Sequence, residues 1–302
     1  MSTRFTPDQV ERWRRDGVVG IERFFTPNEV AGVQADFERI FGRSEGGDTP
    51  LVKKKDGELG RFNQAQFATF DAIPFDCSPA LNLIGVHPAL IEFARSAMRS
   101  DDVYLYQCQA WAKFTGDADY DQPFHCDFVN HTLTAPSDDE CLNCVTILCY
   151  FSDVTEAHGP MHYVRRTDSA TVAGPEATLR AMPELQGRLM PYERSSAAPA
   201  GSIFPYSIDV FHRGTNMTAP RGHRYAVMAC YKRACNDAIG YHAWPFHHMK
   251  PWHNVFDHAT PEQLACFGVQ PPGHPFWNAT TLARAQARYP NWDLAPYRSR
   301  LG

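Results

Sequence analysis

The 302-residue chain lacks several features that would place it in a broad class of proteins. It has no run of about 18 apolar residues, so we expect no membrane span. Positive charge is not in excess: the formal net charge is −5, and the one basic run, Lys53-Lys54-Lys55, is followed at once by Asp56 and Glu58. Binding to nucleic acid needs clustered Lys and Arg, so we do not expect a nucleic-acid partner. The N-terminus also lacks the charged and then apolar segments of a signal peptide.

The cysteines do not form a disulfide framework. There are nine of them, an odd number, and they are scattered along a chain long enough to build a core without covalent staples. The only close pair, Cys141 and Cys144, has no second pair at zinc spacing, so we interpret both as structural thiols. This usage predicts a protein of the reducing cytoplasm.

The composition is that of a globular protein, with 43% hydrophobic and 21% charged residues and no internal repeat or linker. We therefore predict a single domain over residues 1–302, with N-terminal helices in 1–100, a β-rich core at about 101–235 and a C-terminal extension over 236–302. Two segments, Thr6-Pro7-Asp8-Gln9 and Thr26-Pro27-Asn28-Glu29, carry the capping-box pattern that begins a helix.

The middle of the chain is typical of short strands separated by turn residues. Such a pattern favours a sandwich or barrel over alternating β-α-β units. The candidate strands are 103–107, 145–151, 202–204 and 225–231, with a helical insertion at Pro175–Arg188. The polar, glycine-rich stretch Glu45–Gln66 is expected to be a long loop that helps to cover a binding site.

One short motif indicates metal chemistry. In Phe124-His125-Cys126-Asp127-Phe128, the alternation of an extended strand places His125 and Asp127 on one face and Cys126 on the other. With His212 from a later β-type segment, they make the two-histidine, one-carboxylate set of non-haem Fe(II) oxygenases, which leaves three coordination positions open. Taken alone, the motif is also compatible with a surface histidine beside a solvated aspartate.

An arginine follows the last of these ligands. Three open positions suit a bidentate 2-oxo acid and O₂, and the distal carboxylate of the 2-oxo acid then needs a fixed cation. Arg224 begins a strand-like segment and presents a planar fork suited to a carboxylate. Arg221, on a Pro-Arg-Gly turn, is the alternative, although the turn favours a solvent-facing side chain.

Several segments, in order along most of the chain, resemble the phytanoyl-CoA dioxygenase family of Fe(II)- and 2-oxoglutarate-dependent oxygenases. The resemblance implies a mainly β fold with flanking helices, a double-stranded β-helix (a jelly-roll or cupin-like barrel). The matching segments are Phe5–Gln9 with Asp16–Val19, Phe124–Phe128, Phe151–Thr155 with His158–Met161, and Gly201–His212 with Asn216 and Arg224.

The resemblance also implies roles for particular residues. His125, Asp127 and His212 would bind Fe(II), and Arg224 would hold the C5 carboxylate of 2-oxoglutarate. Gln107 and Thr146 are further candidates for contacts to the co-substrate or the active site. The implied reaction uses O₂ to oxidise an unactivated C–H bond of a small metabolite, with release of succinate and CO₂.

Other readings of the sequence stay open. The same three ligands would suit a zinc-dependent hydrolase, and a non-catalytic β-barrel binding protein could retain them by descent. The chain departs from the family pattern at Arg165–Ser169, and Arg224 lies one residue later than the family pattern leads us to expect. The histidines of the extension, among them His242 and His274, are expected to pack with aromatic residues instead of forming a second metal site. The substrate, the kind of oxidation and the oligomeric state are not set by the sequence.

Overall fold

A computed structural model describes residues 4–42, 70–115, 121–132, 136–137, 139–174, 183–240 and 250–301. The helices of these segments are α1 Pro7–Asp16, α2 Pro27–Phe41, α3 Pro79–Ile84, α4 Pro88–Met98, α5 Phe128–His131, α6 Arg166–Ala173, α7 Pro183–Leu189, α8 His253–Phe256, α9 Pro261–Ala265, α10 Ala279–Arg288 and α11 Ala295–Arg298. The strands are β1 Phe70–Ala72, β2 Val103–Phe114, β3 Val145–Tyr150, β4 Met161–Tyr163, β5 Arg194–Ser195, β6 Ile203–Ser207, β7 His212–Gly214 and β8 His223–Arg233.

Both predicted capping boxes begin the helices that the sequence indicates. The Thr6 hydroxyl accepts from the Gln9 N–H, and the Gln9 side chain accepts from the Thr6 N–H at 2.8 Å. Thr26 and Glu29 repeat this arrangement at the start of α2. After Gly17 ends α1 with a φ of +75°, Val18 and Ile21 form isolated bridges to Tyr206 and Ile203 of β6.

Two antiparallel sheets carry the fold. The larger has the strand order β1-β2-β8-β3-β6 and the smaller the order β5-β4-β7. This arrangement of facing sheets with flanking helices confirms the predicted jelly-roll class, although the sheets of the described segments do not close into a barrel. The predicted strands are present, and β2 and β8 extend well beyond the sequence estimate because they pair with each other almost end to end.

The two faces of the larger sheet have different roles. One face, including Ile147 of β3 and Val227 of β8, packs against the N-terminal helices and the C-terminal extension in the main hydrophobic core. Side chains of the other face, including Leu148 and Met228, line a cavity between the two sheets. The helices therefore bury one face of the sheet, and the opposite face is left to build a site.

A β-bulge sets which residues of β2 face this cavity. Leu105 pairs with Tyr231 and Gln107 with Cys230, so Tyr106 is an extra residue without a partner across the ladder. Before the bulge Val103 and Leu105 are in the core, whereas after it the core positions begin at Cys108. An inserted residue shifts the alternation of a strand by one. The bulge therefore turns Gln107 toward the cavity.

The C-terminal extension packs as an aromatic layer. Phe256 stacks on Tyr289 with ring centroids 3.9 Å apart, and Trp277, Trp292 and Tyr297 contact one another edge to face. His242, His247 and His248 lie outside the described residues, as do the predicted loop at 45–66 and most of the predicted insertion at 175–188. The remainder of that insertion is helix α7.

The cysteines are thiols, as the sequence indicates. All nine cysteines are free thiols, and eight of them, including Cys141 and Cys144, are buried. None of the helices in the described segments is long and apolar enough to cross a membrane.

Candidate metal centre

Three side chains predicted from the sequence to bind a metal converge at one point of the structure. One ligand atom from each of His125, Asp127 and His212 lies within 4.8 Å of the other two. Nε2 of His125 lies 3.8 Å from Oδ1 of Asp127, and Nε2 of His212 lies 3.4 Å from Oδ2 of the same carboxylate. Among the described residues, no other group of His, Cys, Asp and Glu side chains has this geometry.

The backbone explains why two histidines so distant in sequence meet. The N–H of His125 donates to the carbonyl of His212 at 3.0 Å, and the N–H of His212 donates back at 2.9 Å. Residues that exchange both hydrogen bonds in this way lie directly opposite each other, with side chains on the same side. The two imidazole rings are accordingly 4.5 Å apart.

The structure corrects one detail of the sequence interpretation. Asp127 is not on an extended strand, because its backbone angles (φ −79°, ψ −10°) are helical and it directly precedes α5. The strand-like pairing ends after His125, and the chain then turns with the Phe128 N–H bonded to the Ile208 carbonyl at 3.1 Å. Cys126 faces away as predicted, because its thiol is buried and donates to the Asp209 carbonyl at 3.3 Å.

Backbone carbonyls fix the tautomer of both histidines. Nδ1 of His125 lies 2.9 Å from the Pro123 oxygen, and Nδ1 of His212 lies 3.0 Å from the Val210 oxygen. A carbonyl can only accept, so each Nδ1 carries the proton and each Nε2 presents a lone pair to the centre. Burial, and secondarily His212, lower the pKa of His125, which keeps that ring in the neutral form a metal requires.

Tyr206 orients the carboxylate. Its hydroxyl donates to Oδ2 of Asp127 at 3.0 Å. Burial and the neighbouring Asp127 raise the pKa of Tyr206 well above its ordinary value, so the hydroxyl stays protonated and donates. Burial alone would raise the pKa of Asp127, but the adjacent histidines and this hydrogen bond hold it below the ordinary carboxyl value. Asp127 is therefore ionised at neutral pH.

The triad opens into a cavity of about 390 Å³ between the sheets. Arg224 and Lys113 occupy directly opposed positions on β8 and β2, and both line this cavity. Arg221, the alternative arginine, is exposed on its turn. Of the two arginines, Arg224 is thus the one placed to meet a carboxylate that also reaches the triad.

Loop backbone holds these two cations in place. The Arg224 guanidinium donates to the Gly159 carbonyl, and the Lys113 ammonium donates to the Thr215 carbonyl at 3.0 Å. The Thr215 hydroxyl ties the two loops together by donating to the Pro160 carbonyl at 2.7 Å. Gly159 has a φ of +65°, and a Cβ there would be 2.5 Å from the Thr215 oxygen, so this turn requires glycine.

The weaker candidates from the sequence lie in different environments. Gln107 lines the cavity, as its predicted role requires. Thr146 is fully buried in β3, and its hydroxyl donates to the Cys230 thiol at 3.6 Å. It is not among the described residues that line the cavity, so this geometry does not support a co-substrate contact.

Sequence reasoning did not single out Tyr206, nor did it identify His131 as an active-site residue. His131 lines the cavity, and its Nδ1 lies 2.6 Å from the Tyr106 hydroxyl. Burial lowers the pKa of His131 and raises that of Tyr106, so Tyr106 donates to a neutral imidazole. The position of His131 six residues after His125, on the same chain segment, was the only available signal for it.

Comparisons with known proteins give related enzymes. The chain is 29% identical over 160 residues to the ectoine dioxygenase of Bordetella parapertussis (strain 12822 / ATCC BAA-587 / NCTC 13253), and this match covers 52% of the chain and 47% of that protein. The chain thus matches about half the length of this curated relative.

Solved structures share the fold. EctD from S. alaskensis in its apoform has a TM-score of 0.57 at 16% identity, covering 83% of this chain and 84% of that one. The non-heme alpha ketoglutarate dependent epimerase SnoN from nogalamycin biosynthesis has a TM-score of 0.55 at 18% identity, covering 75% and 82%.

The family model supplies the assignment. The model described as phytanoyl-CoA dioxygenase (PhyH) matches residues 13–221, about two thirds of the chain, and this range includes the whole triad. The chain belongs to the phytanoyl-CoA dioxygenase family.

Proposed function

We propose that the protein is a non-haem Fe(II)- and 2-oxoglutarate-dependent oxygenase that oxidises a C–H bond of a small metabolite. The observation that carries this proposal is the convergence of His125, Asp127 and His212 in a cavity that Arg224 also lines. Two neutral imidazoles and one carboxylate match the donor set of Fe(II) oxygenases. The family membership and the ectoine dioxygenase relative support the same activity.

Each residue has a separate task in this proposal. The Nε2 atoms of the two histidines and the carboxylate of Asp127 would bind Fe(II), and the carbonyls behind the rings and Tyr206 hold these donors in position. Arg224 would bind the distal carboxylate of 2-oxoglutarate, and Gln107 would contact a molecule in the cavity. Fe(II) with 2-oxoglutarate and O₂ supplies the oxidising chemistry, with succinate and CO₂ as co-products.

The protein would supply exclusion of water and placement of the target bond. Apolar side chains such as Leu148, Met161 and Met228 form part of the cavity wall. The intact carboxylate at Asp127 favours hydroxylation or a related oxidation over halogenation, because halide binding to the metal would need that position.

Oxygen-dependent release of succinate from 2-oxoglutarate tests the proposal. We expect release with Fe(II) and not with Zn(II), and we expect Asp127→Ala to abolish it. Ectoine is a reasonable first substrate probe because of the curated relative. No succinate from the wild-type protein under any of these conditions would contradict the proposal and would favour a zinc hydrolase or a binding protein.

A pair of arginine variants tests the assignment of the carboxylate site. Loss of a charge-assisted, bidentate contact costs about 1.5–3 kcal/mol, so Arg224→Ala should weaken 2-oxoglutarate binding by about 10–100-fold. Arg221→Ala, a matched control on the exposed turn, should change binding by less than about twofold. The reverse order would move the role to Arg221.

We also propose that the protein works in the reducing cytoplasm and binds neither nucleic acid nor membranes. Nine free thiols, eight of them buried, support a reducing compartment. The net charge of −5 supports the absence of a nucleic-acid partner.

A further inference from the structure

The cavity face of β2 presents a row of polar side chains next to the candidate metal centre. The bulge at Tyr106 turns Gln107 toward the cavity, and Gln109 follows it on the same face. Both glutamines line the cavity that holds the triad. Residues two positions apart on a strand are about 6.6–6.8 Å apart, so the two carboxamides span a molecule of small size.

These two carboxamides have no hydrogen-bond partner in the part of the chain that the structure describes. Neither side chain is hydrogen-bonded to any residue that the structure describes, whereas Gln122, also in the lining, accepts from the Gly214 N–H at 2.8 Å. A carboxamide offers two donors and one acceptor. No described residue thus occupies the donors and acceptors of Gln107 and Gln109, and a molecule in the cavity can pair with them.

The charged residues of the cavity lining restrict the charge that the substrate can carry. Within the described lining Asp127 is the only carboxylate, and the proposed function assigns it to the metal. The cations Lys113 and Arg224 sit opposite each other on β2 and β8, where Arg224 is assigned to 2-oxoglutarate. No described carboxylate of the lining remains to select a cationic substrate by an ion pair.

The size of the cavity sets an upper bound on its contents. Its volume is about 390 Å³. Small-molecule sites typically have volumes of about 300–1,000 Å³, so this cavity lies at the small end of that range. The part of the substrate that lies beside the two glutamines is therefore compact.

We propose that Gln107 and Gln109 bind the substrate, and that the substrate is a compact, neutral or anionic metabolite with two hydrogen-bonding groups. This inference rests on the proposed oxygenase function and specifies the substrate class of the same site. Hydroxyl, amide or carboxylate groups on the substrate would pair with the two carboxamides, while the C–H bond to be oxidised faces the triad. A site built to hydrogen-bond its substrate discriminates strongly against analogues that lack those groups.

The test uses succinate release with two sets of probe compounds. The polar set is L-proline, L-glutamine and myo-inositol. The apolar set, whose members carry at most one hydrogen-bonding group, is limonene, geraniol and n-decanol. We expect stimulation above the level without added compound from at least one polar probe and from no apolar probe. Stimulation by an apolar probe, or by no polar probe, would overturn the inference.

Variants at Gln109 connect the stimulation to the carboxamide. Gln109→Leu should lower kcat/KM for the stimulating probe by about 10–100-fold, because a hydrogen-bonded substrate group then loses its partner. Gln109→Asn keeps the carboxamide, so its kcat/KM should lie between those of the wild type and Gln109→Leu. This variant preserves the test if the leucine variant folds poorly. Gln270→Leu, at a half-buried position outside this cavity, is the matched control and should behave like the wild type.

The outcomes separate the two proposals. Succinate release without any probe should persist in the control variant Gln270→Leu, because Gln270 lies outside the cavity that holds the triad. If that basal release is present but Gln109→Leu leaves the probe's kcat/KM unchanged, the substrate inference is wrong and the oxygenase function stands. If the wild-type protein releases no succinate at all, the oxygenase function itself fails.

Discussion

The hydrogen bond from Tyr206 to Asp127 gives the sharpest prediction about the metal centre. Tyr206→Phe removes one hydroxyl and leaves the ring, so the packing of β6 is retained. The lost bond is 3.0 Å long and ends on an ionised, largely buried carboxylate. Hydrogen bonds to charged groups contribute about 1.5–3 kcal/mol, and loss of such an outer-sphere partner typically costs about 10–100-fold in metal affinity. We therefore expect the Kd for Fe(II) to rise by about 10–100-fold.

The assay is an anaerobic Fe(II) titration in competition with a chromophoric chelator. Tyr231→Phe is the matched control. The Tyr231 hydroxyl also donates a hydrogen bond, but to the carbonyl of Gly85 on the core face of β8, away from the cavity. The control should lose stability and keep the wild-type Kd for Fe(II). An unchanged Kd in Tyr206→Phe, or an equal rise in Tyr231→Phe, would refute the argument that Tyr206 positions the carboxylate.

Two further predictions concern the turn beside the arginine and the N-terminal helices. Gly159→Ala forces an alanine to a φ of +65°, which should lower the unfolding free energy by about 1–3 kcal/mol and weaken 2-oxoglutarate binding. The control Gly187→Ala, which has open space around it on α7, should be neutral or stabilising. Equal effects of the two variants in urea unfolding would contradict this prediction. Burial alone would raise the pKa of Glu29, but hydrogen bonds, first among them those from Arg4, hold this pKa well below its ordinary value. The ionised Glu29 therefore stabilises the fold fully above about pH 4.3, and this stabilisation is lost as the pH falls toward the folded-state pKa. Glu29→Gln should therefore lower the unfolding free energy by about 1–3 kcal/mol at neutral pH and by less in acid, and the exposed Glu22→Gln should do neither in the same urea titrations.

Local signals in the sequence predicted those parts of the molecule that local chemistry determines. The helix starts at Thr6 and Thr26 depend on side chains three residues apart, and both capping boxes form as expected. The short apolar segments with turn residues between them predicted the strands, and the resemblance to a known family implied the jelly-roll class that the structure confirms. The motif at 124–128 and the later β-type segment suggested that His125 and His212 share a metal, and the resemblance to a known family implied the same ligands.

Long-range contacts explain what the sequence did not show. Tyr206 is an ordinary strand residue until the pairing of β6 with β3 brings its hydroxyl to Asp127. Gln109 faces the cavity because the bulge at Tyr106 shifts the alternation of β2. A bulge depends on the partner strand, so no local sequence pattern predicts it. The contact of the Thr146 hydroxyl with the Cys230 thiol is likewise a product of strand pairing, which the sequence does not show.

The central claim is that this chain binds Fe(II) and 2-oxoglutarate at the same centre. The most direct measurement is the visible absorption of the anaerobic protein on addition of both, since 2-oxoglutarate chelated to Fe(II) has a weak charge-transfer band. We predict that the wild-type protein develops this band only when both are present, and that a variant with both His125→Ala and His212→Ala does not. A wild-type protein without the band, or a band of equal strength in the double variant, would contradict the account.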